Sequence, residues 1–220
     1  MKIKLKNSKT DIKEIEVKNS IIELKTLLED EYQNSSDIKN VIMENDTYGN
    51  VGCRAISAYR SSNQQMKSNI SMKEFDELAD EGGMKLDSWV DDYKNPIYNV
   101  LAIWSLVDKI NKKYNVNLGY RLIQKPLADI TKQWLVNCIL NNVPLTIKMK
   151  SLAYENSSHF VGVDGVIKEN DGNIYFKMKE TYSGYNGYDG YYIDVNTPAY
   201  YEIVFDKKVE KNIFKIEENK

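Results

Sequence analysis

"LADITKQWLVNCILNNVPLTIKMK", Leu127 to Lys150, changes its period halfway along. In the first part Ile130, Trp134, Val136, Cys138 and Ile139 form a broad apolar face at helical spacing. Pro144 has no N–H to donate and its ring clashes with a preceding turn, so the helix must end before it. Beyond the proline, Leu145, Ile147 and Met149 alternate with Thr146, Lys148 and Lys150, which is the period of a half-buried strand.

Working outward, the two sides of Pro144 differ in kind. Upstream, "SMKEFDELADEGG" (71–83) carries a capping box, Ser71 with Glu74, and "NVLAIWSLVDKINKKY" (99–114) is a second amphipathic run. "CRAISAYRSSN" (53–63) is helical too, with Cys53, Ile56 and Tyr59 at three-residue spacing. Downstream, "HFVGVDGV", "NIYFKMKE", "GYYIDV", "YYEIVFDK" and "NIFKIE" all read as strands, most of them separated by Gly, Asn or Asp turns. The expected fold is α+β, a helical half followed by an antiparallel sheet half. At the start, "KIKLK" and "EIEV" read as short strands and "SIIELKTLLEDEY" (20–32) as an amphipathic helix. Residues 1–44 are therefore expected to be an accessory strand-helix element, and residues 45–220 the main domain.

Composition bounds the function. The chain has 220 residues, with 30 basic and 32 acidic side chains for a net charge of −2. No cationic footprint for nucleic acid stands out, so none is expected as a partner. The longest apolar run, "NVLAIWSLV", is short of the ~18 residues that span a bilayer, and the N-terminus has no secretory pattern. No membrane partner and a cytoplasmic site of synthesis are expected, with export only by a holin or a dedicated secretion route. One histidine and two cysteines argue against a Cys/His zinc site or a disulfide framework, and no metal or cofactor is expected. Tyrosine is abundant, at 16, and clusters between Tyr182 and Tyr201, as strand packing or as a surface that meets substrate.

The parts of a thiol hydrolase are available. Cys53 follows the loop "YGNVG" and opens a helical run, where the macrodipole and free N–H groups favour thiolate. His159 begins the strand "HFVGVDGV" and a polar group for the imidazole lies in "KETYSG" (179–184). Glu180 is the expected orienter. Asp164 is the rival, but five residues from His159 an extended strand turns it to the other face, and it is expected to serve a turn before Gly165. Cys138, in mid-helix on an apolar face, is expected to be a core residue.

These segments resemble the papain-like cysteine peptidases. "GCRAISAY" is similar to the family's nucleophile segment, with Cys53, Ala55, Ser57 and Ala58 in agreement and Arg54 in place of a tryptophan. "HFVGVDGV" is similar to its histidine strand. "IYFKMKETYSGYNGYDGYYIDV" resembles the stretch after it, and Gly187, Gly190 and Tyr191 keep a G-x-x-G-Y spacing. "NNVPLTIKM" is similar to the turn and strand ahead of the His strand in the compact bacterial members, among them the bacteriocin-leader peptidases. Glu180 stands where the family has Asn or Asp, as in the cysteine/histidine amidohydrolases of cell-wall hydrolases. Thr47 stands where the family has its oxyanion Gln, which leaves Asn50 and Asn45 as the nearby amides.

The resemblance implies a papain-like fold and a Cys53–His159–Glu180 triad, with Asn50 or Asn45 at the oxyanion. Arg54 departs from the family, and as a cation beside the nucleophile it is expected either to lower the Cys53 pKa or to bind an acidic group of the substrate, while Tyr182 and Tyr185 are the expected substrate contacts of the tyrosine-rich stretch. The implied activity is that of a cysteine peptidase or amidohydrolase on a peptide, a protein or peptidoglycan, as in a phage-type lysin. An effector-type deamidase or protease acting on a protein target, and an inactive peptide-binding papain-like module, are the alternatives.

Overall fold

The computed structural model describes residues 1–6, 12–18, 20–23, 27–28, 53–68, 70–81, 96–123, 129–150, 158–179, 181, 190–197 and 199–215. Among them the chain is α+β, with helices and one mixed sheet. The strands are β1 (Lys2–Lys6), β2 (Ile12–Glu16), β3 (Ser20–Glu23), β4 (Leu118–Ile123), β5 (Leu145–Lys150), β6 (Ser158–Glu169), β7 (Ile174–Lys179), β8 (Tyr191–Asp194) and β9 (Tyr200–Asp206). The helices are α1 (Cys53–Met66), α2 (Met72–Glu81), α3 (Pro96–Tyr114), α4 (Asp129–Leu140) and the short α5 (Glu210–Phe214).

The change of period at Pro144 has a visible cause. α4 ends in a pair of reversed hydrogen bonds, Val143 N–H to the Cys138 carbonyl at 2.8 Å and Asn142 N–H to that of Ile139 at 3.0 Å. Asn142 takes the left-handed conformation this closure needs, with φ 62°. The carbonyls of Cys138 and Ile139 are satisfied in this way, and Pro144 then starts the chain toward β5. α3 closes in a related way: Asn115 has φ 51°, and the Asn111 side chain both donates to the Leu118 carbonyl (3.0 Å) and accepts from its N–H (2.7 Å). That clamp launches β4, a strand absent from the sequence-based expectation.

The sheet runs β2-β1-β8-β7-β6-β5-β9-β4, and β3 pairs with β6 off this path. Every pair is antiparallel except β1 with β8, so the sheet is mixed where an antiparallel one was expected. β6 is long enough to take two partners along one edge. β5 pairs with Ser158–Val163 and β3 with Val166–Glu169, while β7 holds the other edge.

Three individual segments also depart from expectation. Ser20–Glu23 is strand, not the start of a helix, because β6 beyond the end of β5 offers an open edge and Ile21-Ile22 suit extended backbone. The first three residues of "NIFKIE", 212–214, close a helix and not a strand, and residues 216 and 217 lie outside the described residues: Asp206 accepts from Lys208 N–H (3.0 Å) and starts a tight turn that runs into α5. α5 then buries Ile213 and sets Phe214 edge-on to Phe205, with ring centroids 5.4 Å apart. Asp164 serves no turn. It is the extra residue of a β-bulge inside β6, fully buried, with Lys177 Nζ 3.9 Å from its carboxylate.

Helices cover both sheet faces, so the helical and sheet parts are not two separate halves. α1, α2 and α3 share a core with Leu118, Tyr120 and Val204 on one face. α4 and α5 share another with Ile147, Val161, Val163, Phe176, Ile203 and Phe205 on the opposite face. A smaller cluster joins Ile3, Leu5 and Val17 from the N-terminus to Ile167, Tyr175 and Tyr192.

Candidate functional site

α1 starts at Cys53 and lies across β9, β6 and β5. The cysteine is the first residue of the helix and is buried, with 6% of its surface exposed. N–H groups of a first helical turn have no partner within the helix, which suits them to an anion. The neighbour Arg54 is buried too, at 2%. Its Nε donates to Glu202 Oε2 at 3.1 Å, and its Nη2 donates to Oε1 of the same carboxylate. Tyr120 donates its hydroxyl to Oε1 at 3.2 Å. Burial, with the Glu202 charge beside it, raises the Tyr120 pKa well above the ordinary phenol value, so the phenol stays protonated. One carboxylate on β9 thus gathers donors from α1 and β4.

The guanidinium of Arg54 also lies over the ring of Phe160, 5.3 Å from its centroid, and Lys148 Nζ approaches the same ring at 5.3 Å. Phe160 follows His159 on β6. His159 is half-buried, is the second residue of the strand and stands opposite Met149 in the register. Alternation along β6 sets His159 on the side of Val161 and Val163, whereas Phe160 faces Arg54.

Of the expected site residues, Cys53, Arg54 and His159 are therefore described. Glu180, Asn50, Asn45, Tyr182 and Tyr185 lie outside the described residues. Arg54 was expected to meet substrate; instead the structure buries it and fills its fork with Glu202, so its role there is internal. The same pairing sets a negative charge against the cation expected to act on Cys53. Tyr192 and Tyr201, from the tyrosine-rich stretch, are buried among core residues, and Tyr200 is exposed. Cys138 is fully buried in the α4 core, and desolvation pushes its thiol far above the usual range.

Glu202 went unnoticed in the sequence, although one signal was present. It is a lone acid inside the apolar run "YYEIVF", and such an acid on a buried strand requires a cation. Among the described residues no group of His, Cys, Asp and Glu is arranged to hold a metal ion. None of the described helices is long and apolar enough to cross a membrane. Compared with known proteins, the chain matches no family model and no curated protein.

Proposed function

We propose that the chain is a thiol hydrolase that cleaves peptide or amide bonds, with Cys53 as nucleophile, His159 as proton carrier and Glu180 as its orienter. The observation that supports this is the contact between Arg54 and Phe160. Each is next in sequence to one half of the pair, so the helix start with the thiol and the strand start with the one histidine are neighbours. In β6 itself His159 keeps regular register with Met149, on the Val161 and Val163 face and not the α1 face, so this reading requires the imidazole to swing round the start of the strand to reach Cys53.

In the reaction the Cys53 thiolate bonds to the carbonyl carbon, and the C=O electron pair moves onto oxygen. First-turn N–H groups and an upstream Asn hold that oxyanion. Collapse breaks the C–N bond, and His159 delivers the thiol-derived proton to the leaving amine. Water, losing a proton to His159, attacks the thioester and releases the acid with the thiol restored. The substrate class is peptide, including the peptide stems of peptidoglycan. A Gln side chain of a target protein is open to the same steps and would give deamidation.

A second reading, a papain-like module without catalysis that binds peptides, is favoured by the burial of Cys53 and by the alternation at His159. Incubation with a turbid cell-wall suspension and with a mixed peptide library separates the two. A hydrolase clears or cleaves, and Cys53→Ala does neither. A module binds peptides equally well with and without the thiol. Mass gain without chain cleavage marks deamidation.

A further inference from the structure

The Arg54–Glu202 pair is costly by design. A cation in the first turn of a helix opposes the macrodipole, and a buried one needs a full set of acceptors. Glu202 answers the first demand and part of the second, because a two-point contact neutralises the guanidinium and fixes its plane. Since Tyr120 holds the same carboxylate, Glu202 is tied to β4 as well as to its own strand. The fork sits one residue from Cys53 and over the ring next to His159.

We infer that Glu202 and Arg54 are positioning residues for the thiol: their fork sets where the first turn of α1, and so Cys53, stands against the start of β6. The inference rests on the thiol-hydrolase reading. Neither residue touches substrate. Arg54 acts through the backbone it shares with Cys53, and Glu202 acts through Arg54.

Replacing both partners by apolar residues of similar size, Arg54→Met with Glu202→Leu, removes the fork without stranding a buried charge. Such a variant is expected to fold, as judged by circular dichroism and a cooperative melt. The test is the alkylation rate of Cys53 by iodoacetamide against pH, read by site-resolved mass spectrometry in wild type, His159→Ala and the double variant. With the fork gone, Cys53 is expected to react about ten-fold more slowly at pH 6 than in wild type. Arg54→Lys in the wild-type background keeps the charge but loses the fork, and is expected to react at a rate between those of wild type and the double variant, since an ammonium cannot grip both oxygens in one plane. A folded double variant with the wild-type profile overturns the inference while the hydrolase reading stands. A wild type whose thiol is indifferent to His159 overturns the hydrolase reading, and the inference with it. Should the double variant fail to fold, Arg54→Lys decides: a profile identical to wild type overturns the inference.

Discussion

Arg54 on α1 and Glu202 on β9 are 148 residues apart in sequence and meet through two hydrogen bonds in a place that water barely reaches. Removing one partner takes the two-point counter-charge from the other in a buried place. Glu202→Leu or Arg54→Met alone is expected to destabilise the fold by about 3–5 kcal/mol, the usual cost of breaking a buried pair from one side. Denaturant melts of both single variants and the double variant check this. The double is expected to be more stable than either single, and a strictly additive double would contradict the coupling.

Gly119 on β4 stands directly opposite Phe205 on β9. A Cβ added there would come within 2.6 Å of the Phe205 ring, which is itself buried and stacked edge-on against Phe214. The ring has nowhere to go. Gly119→Ala is expected to cost about 1–3 kcal/mol by overpacking, measured as a fall in the denaturation midpoint at unchanged slope. No loss of stability would mean that the Phe205–Phe214 contact is loose.

Residues 1–23 supply β1, which completes the sheet beside β8, and β3, which covers part of β6. Deleting them strips Ile167, Tyr175 and Tyr192 of the cover given by Ile3, Leu5 and Val17. The shortened chain is expected to bind a hydrophobic dye and to lose its cooperative melt. An unchanged melt would show that this element is dispensable.

Tyr175 donates its hydroxyl to Glu169 at 3.3 Å, and burial, helped by that carboxylate, pushes its pKa up to about 12. Because the folded value lies above the unfolded one of ~10, the folded state holds this proton more tightly. Its contribution is complete below about pH 10 and declines as pH rises toward the folded value. Stability is therefore expected to fall between about pH 10 and 12, and Tyr175→Phe to flatten part of that fall. Equal slopes in the two proteins would exclude Tyr175 as a source.

Much of this architecture is legible in the sequence, for identifiable reasons. Pro144, the apolar face of α4 and the alternation after it fix the helix-to-strand change because both periods are long enough to count. Ser71 works as expected, accepting from Glu74 N–H at 3.2 Å. The elements misread are the short ones. "LGYRLI" has a glycine and an arginine where a strand pattern wants apolar residues, and only pairing with β9 makes it β4. "SIIE" and "NIFKIE" carry too few residues for their own period to decide, so an open edge and a packed aromatic pair decided for them. The bulge at Asp164 shifts the alternation that a regular strand would have kept. At the site, Cys53 opening a helix and His159 on a strand were both readable, because each is set by local pattern. The burial of Arg54 was not, since its partner is remote in the chain and only the tertiary fold brings Glu202 to it.

The most direct measurement is the rate of Cys53 alkylation across pH in wild type and in His159→Ala, resolved from Cys138 by mass spectrometry. A thiol hydrolase predicts fast reaction in wild type well below the ordinary thiol value of ~8.5, and reversion to an ordinary profile without the histidine. Two proteins that titrate alike near ~8.5, or a Cys53 that reacts only on unfolding, would contradict it and leave the peptide-binding module as the better description.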